Sequence, residues 1–256
     1  MVRIMDNMDM RMKNIFSIRK TLLDTFENSI YAAIVYGSTL NADFCEISDY
    51  DILLIFKTMC METLKKIHSI KKQFENLGVR IDFNSHLISD LPNERGELYW
   101  HNNRSAFIQQ ELSMTGYPII GSNPFAGYRA DIKNMQVEAV RMLNSFAYQA
   151  RKMIINKDLN IAENRLFLVK WCIYGSLYLL AGKGLFYNSR REGLAQFVKE
   201  FESDIDPMCF LQMKIDRPDR ISDEDIEMAY DYINYLDRCA ISMFKHVAEY
   251  KFDLFC

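Results

Sequence analysis

The run from Ile30 to Phe56 restricts the fold of this chain more than any other feature. Ile30 to Tyr36 is rich in β-branched and aromatic residues and stops at Gly37, which marks a strand with a turn behind it. A polar loop from Ser38 to Ser48 follows, and Asp49-Tyr50-Asp51 then leads into a second apolar run, Ile52 to Phe56. Residues two apart in a strand project from one face, so Asp49 and Asp51 are expected to point at one spot. Two carboxylates so placed repel each other unless a cation lies between them. Mg²⁺ takes oxygen ligands and is commonly held by one or two carboxylates plus substrate phosphates. Gly37 permits close backbone approach, and Ser38 with its neighbouring amides suits phosphate oxygens.

The flanking segments complete an α/β unit. Ile15, Ile18, Leu22, Leu23 and Phe26 repeat with a helical period across Asn14 to Asn28. Leu64, Ile67, Ile70, Phe74 and Leu77 do the same across Met61 to Leu77, closed by Gly78. Val79 to Ile88 reads as a third strand, giving the order α-β-β-α-β. Within it Asp82 stands between Ile81 and Phe83. An acid in mid-strand implies that its face lines a site, where it could share a metal and take the proton of an attacking hydroxyl.

Beyond residue 90 the texture changes. Glu94 to Thr115 looks helical, and Tyr117-Pro118-Ile119-Ile120-Gly121 reads as a short strand. Pro118 restricts that strand to a sheet edge or a strand start. Helices are expected over about 131–156, 161–182, 190–202 and 222–251, the last opened by a capping box from Ser222 and Asp225. Gly121, Pro124 and Gly127 mark the boundary, so the expected domains are residues 1–125 and 126–256.

The Gly37-Ser38 turn, the Asp49/Asp51 pair and Asp82 on a later strand resemble, in order and spacing, the signature of the DNA polymerase β-like nucleotidyltransferase superfamily. The resemblance covers about residues 30–90. It implies a mixed sheet with flanking helices followed by an all-helical domain that closes over the site. It also implies ATP as substrate and two Mg²⁺ ions, with Asp49 and Asp51 as metal ligands. Ser38 would hold the triphosphate, and Asp82 would be the base and a further metal ligand. Length and layout are similar to the aminoglycoside adenylyltransferases that modify streptomycin and spectinomycin, which implies AMP transfer to a small-molecule hydroxyl and a role in antibiotic resistance. The Asn164 to Lys183 segment resembles their helix ending in a Gly-Lys turn.

On that resemblance Asp131, Lys170 and Arg190 are nucleotide-binding candidates, each with a plainer alternative. Asp131 is equally well a helix cap. Lys170 is equally well a surface lysine with a buried stem. Arg190 and Arg191 open a helix, where cations oppose the dipole and an anionic partner would relieve them; solvated arginines explain them as readily. Trp100 and Trp171 could stack on a ligand ring, although aromatics at helical positions usually fill cores.

Composition narrows the alternatives. Net charge is −3, yet Lys199 to Asp231 holds eleven acids against four bases, a local −7. That stretch suits a solvated acidic face or a cationic acceptor. No basic stripe with interleaved aromatics appears, which disfavours extensive nucleic-acid binding and a nucleic-acid end-modifying enzyme. The six cysteines form no CxxC pair, and the four histidines fall in no catalytic or metal motif. The N-terminus lacks a secretory apolar run and Leu166 to Ala181 is too short to span a bilayer, so a cytoplasmic protein is expected. The spacing of Gly-Ser to Asp-x-Asp also equals that of minimal nucleotidyltransferase antitoxins, which adenylylate a partner toxin. Their usual helical partner carries an Arg-x(4–6)-His motif, and Arg238 and His246 are too far apart to supply it.

Overall fold

A computed structural model describes residues 2–40, 48–91, 105–156 and 158–252. The elements in order are α1 (Val2–Phe26), β1 (Ile30–Tyr36), β2 (Tyr50–Phe56), α2 (Met61–Glu75), β3 (Ile81–Leu87), α3 (Ser105–Thr115), β4 (Tyr117–Ile120), α4 (Ile132–Ile155), α5 (Ala162–Gly182), α6 (Arg190–Glu200), α7 (Met208–Asp216) and α8 (Asp223–Phe252). Cys45, Trp100 and Cys256, and residues 94–104 of the expected 94–115 helix, lie outside the described residues.

Two elements depart from the sequence reading. The first helix begins at Val2 rather than near Asn14. Its Met, Arg and Lys residues are good helix formers that need no apolar stripe to announce them. Helix α7 falls outside every helix that the sequence predicts. At nine residues it is too short to display a helical period, and Asp206 Oδ1 caps it by accepting the Met208 amide at 2.9 Å.

The chain divides into two compact units, residues 1–105 with 109–128, and residues 106–108 with 129–256. The first is a four-stranded sheet in the order β3-β2-β1-β4. β1 pairs antiparallel with β2 and β4, while β2 and β3 are parallel because α2 carries the chain across between them. β4, with Pro118, is an edge strand, where a missing N–H is tolerated.

Alternation along the strands sorts the two faces of the sheet. Ala33, Val35, Ile52, Leu54, Phe56 and Ile81 join Ile15, Ile18 and Leu22 of α1 and Ile67, Ile70 and Phe74 of α2 in one buried cluster. Each fully buried side chain of this kind contributes roughly 1.5–3 kcal/mol. Two polar ties fix α1 to the sheet: Asn14 donates to the Tyr50 hydroxyl at 2.9 Å, and Arg19 donates to the Ile119 carbonyl at 2.8 Å. The opposite face carries the buried Ala32, Ile34, Leu53 and Ile55 together with the polar Asp51, Asp82 and Asn84.

The second unit is a helical bundle with its own core, built mainly from α4, α5 and α8. Gly175 lies in mid-α5, where glycine is a poor helix former. A Cβ there would stand 2.7 Å from both Leu143 and Leu236, so the close approach of α4 and α8 requires it. The capping box expected at α8 is present: the Ser222 amide donates to Asp225 at 2.8 Å and the Asp225 amide donates to the Ser222 hydroxyl at 3.2 Å. Among the described residues no helix is long and apolar enough to cross a membrane.

Candidate active site

The strand register assembles the site. Tyr36 on β1 stands opposite Asp51 on β2, and Asp51 stands opposite Asp82 on β3. Residues directly opposite across a ladder share a face, so these three side chains form one row on the side away from α1 and α2. Asn84, two residues beyond Asp82, lies on the same face and donates to the Tyr36 hydroxyl at 2.9 Å.

Gly37 turns the chain at the end of this row. Its φ of +68° is a conformation that only glycine adopts readily, and a Cβ on it would lie 2.6 Å from Asp51 Oδ2. The backbone therefore passes against the Asp51 carboxylate in a space that no side chain could share. Gly37 opens a single 3₁₀ turn, Gly37–Leu40, in which Ser38 and Thr39 are buried. The Thr39 hydroxyl donates to the Asp49 carbonyl at 3.3 Å, joining the turn to the residue that precedes β2. Asp49 itself lies one residue outside the strand and, like Asp51, is half-buried, whereas Asp82 is exposed.

The electrostatics of Tyr36 report how close the acids come. Burial raises its phenol well above the usual value, and the negative charges of Asp51, Glu111 and Asp82 raise it further against the hydrogen bond from Asn84. Glu111, on α3, is thus a fourth acid facing this region, one that no strand motif in the sequence could disclose. His86 shares the face of Asp82 and Asn84. Burial lowers its pKa, against the pull of Asp90, which favours the neutral ring.

The donor set fits a magnesium ion bound with a nucleotide. Asp49 and Asp51 carry hard oxygen donors of the kind such an ion takes, and the cradle at Gly37 is open where a Cβ would otherwise press on Asp51. Among the described residues no three His, Cys, Asp or Glu side chains are grouped closely enough to enclose a metal by themselves.

The three candidates in the helical unit are engaged locally. Asp131 is exposed and caps α4, accepting the Lys133 amide at 2.8 Å. Lys170 holds its ammonium 5.6 Å from the Phe167 ring centroid. Arg190 is buried rather than solvated. It donates to the Tyr174 hydroxyl at 2.7 Å and lies 5.2 Å from that ring's centroid.

Five acids of the acidic stretch have local partners. Asp206 caps α7, Asp225 caps α8 and pairs with Arg217 at 2.6 and 2.8 Å, and Asp223 pairs with Arg165 at 2.6 Å. Glu200 binds Lys183, and Asp216 accepts from Gln212. Trp171 stacks on Phe146, 5.5 Å between centroids, in the helical core.

No family model matches the sequence, and no curated protein matches it. Among solved structures, a spectinomycin adenyltransferase AAD(9) from Enterococcus faecialis, determined with ATP and spectinomycin, is similar to this chain with a TM-score of 0.59. The identity is 12%, over 89% of this chain and 98% of that one. A mutant of the toxin-antitoxin pair MntA-HpeT matches 57% of this chain and 98% of its own at 14% identity, with a TM-score of 0.30, too low to carry an argument. The chain shares the overall fold of that adenyltransferase, with an α/β unit and a helical unit.

Proposed function

We propose that the protein is a cytoplasmic, magnesium-dependent nucleotidyltransferase that moves AMP from ATP to a hydroxyl of a small molecule, an aminocyclitol or aminoglycoside antibiotic being the first candidate. The observation that carries this reading is the row Asp51–Asp82 set in register beside Gly37, whose missing Cβ leaves the Asp51 carboxylate its space. The shared fold with an adenyltransferase solved with ATP and spectinomycin supports it.

The chemistry follows from the residues. The triphosphate lies over the Gly37–Leu40 turn, with Asp49 and Asp51 facing the phosphates. Magnesium, when bound there, neutralises phosphate charge and polarises the transferring phosphorus. Asp82 accepts the proton of the acceptor hydroxyl as its oxygen bonds to the α-phosphorus. The bond from that phosphorus to the bridging oxygen breaks, and pyrophosphate leaves with the electron pair. Thr39 keeps the turn in place against Asp49. Asp131, Lys170 and Arg190 remain nucleotide-binding candidates of the helical unit.

Incubation with ATP, Mg²⁺ and a panel including spectinomycin and streptomycin tests the reading. The expected product is the antibiotic carrying one adenylyl group, identified by mass, with pyrophosphate released in step. Neither pyrophosphate nor adduct from the purified chain would refute it.

A further inference from the structure

The polar side chains that tie α1 to the first unit do different work. Arg19 reaches the Ile119 carbonyl on the edge strand β4. Arg11 and Asn14 lie nearer the helix start, three residues apart and so on one face, and both reach the chain that builds the site. Arg11 Nη1 donates to the Thr39 carbonyl at 3.4 Å, inside the Gly37–Leu40 turn. Asn14 Nδ2 donates at 2.9 Å to the hydroxyl of Tyr50, the residue between Asp49 and Asp51. The Thr39 hydroxyl, donating to the Asp49 carbonyl at 3.3 Å, closes the ring. Thr39 and Tyr50 are buried, so these bonds are sheltered from water. Burial raises the Tyr50 phenol, and the Asn14 hydrogen bond and the Arg11 charge both pull it back, so the two α1 residues act on the same group.

A magnesium ion held by one or two carboxylates takes further ligands from phosphate oxygens, so a nucleotide must reach the turn and the acid pair at once. Pairing of Tyr36 with Asp51 fixes where β1 and β2 meet, but the turn lies beyond that ladder. Tyr50 projects to the other side of β2 from Asp51, into the cluster that contains α1. Holding its hydroxyl there fixes the twist of the strand that aims the acids. We propose that Arg11 and Asn14 are positioning residues of the nucleotide site, through which one face of α1 sets the spacing between the phosphate turn and the Asp49/Asp51 pair. This rests on the nucleotidyl-transfer reading and adds to it a part played by the first helix.

Arg11→Met and Asn14→Leu remove the two ties, Tyr50→Phe removes only the hydroxyl that Asn14 holds, and Arg19→Met loosens α1 away from the site. Calorimetry with Mg²⁺ and the α,β-methylene analogue of ATP, which cannot transfer AMP, reads binding without turnover, and melting temperatures report the fold. The Kd should rise about fivefold or more in Arg11→Met, Asn14→Leu and Tyr50→Phe, the scale of one lost hydrogen bond. Asn14→Leu combined with Tyr50→Phe should be no weaker than either alone, because both delete one bond. Arg19→Met should lower the melting temperature yet leave the Kd within about twofold. Wild-type affinity in the Arg11 and Asn14 variants would overturn the positioning role alone, and so would an equal loss in Arg19→Met, since loosening α1 anywhere would then suffice. A wild-type protein that fails to bind the analogue with Mg²⁺ overturns the nucleotidyl-transfer reading itself, and the positioning role with it.

Discussion

Asp51 shows how much of this site depends on single atoms. Its carboxylate occupies the space that a Cβ on Gly37 would need, and Gly37 holds a positive φ. Gly37→Ala therefore carries two penalties, about 1 kcal/mol or more of backbone strain and a displaced Asp51. Its turnover is expected to fall at least tenfold while circular dichroism stays native; full activity would mean that Asp51 is not held by this contact. Asp49→Asn and Asp51→Asn each remove a charge with little change of shape. Either should abolish AMP transfer in a folded protein, and unchanged turnover in either would refute the metal-ligand role. Asp82→Asn should lower kcat by about 10²-fold, the scale of lost general-base catalysis, with less effect on ATP affinity. A variant that weakens ATP binding alone, with kcat intact at saturation, would remove Asp82 from that role.

Among the elements, α8 has the clearest dependence on pH. Asp225, 7% exposed, accepts from the Ser222 amide and from both guanidinium nitrogens of Arg217 at the helix start. Burial opposes its charge, but the Arg217 and Ser222 hydrogen bonds outweigh it and hold the carboxyl below the usual aspartate range. A depressed folded pKa means that this contribution is present above the unfolded value of about 3.9 and is lost as pH falls through the folded one. Asp225→Ala should cost about 1–3 kcal/mol near pH 7, from a lost cap and stranded partners, and much less at the acid end of the titration. Urea unfolding of both proteins across that range checks it; a pH-independent difference would mean that packing, not charge, is responsible. Within the −7 stretch from Lys199 to Asp231, Asp206, Asp223 and Asp225 are engaged locally. Charge is legible in a sequence, but whether an acid caps a helix, pairs with an arginine or faces water depends on neighbours distant along the chain.

For the molecule as a whole, ligand binding offers a test independent of turnover. ATP with Mg²⁺ at a hundred times its Kd would stabilise the folded state by about 2.7 kcal/mol, raising the melting temperature by roughly 5 °C or more. Asp51→Asn should abolish that rise without lowering the melting temperature of the free protein. A rise that persists would place the nucleotide elsewhere. The strands β1 to β3 and the placing of Gly37, Asp51 and Asp82 were legible in the sequence, because a two-residue period and a turn glycine are local signals. So were helices α4, α5 and α8, whose long apolar repeats leave little choice of structure. Short α7 and the full reach of α1 were not, since neither displays a period that local reasoning can count. Only the tertiary structure could decide the row itself. The pairing of Tyr36 with Asp51 and of Asp51 with Asp82 is a matter of strand register, set by which face packs on α1 and α2. Glu111 reaches the same place from a helix some thirty residues further on, and Arg190 found a tyrosine sixteen residues behind it. Those contacts join parts of the chain that carry no mark of one another, because three-dimensional packing and not local preference brings them together.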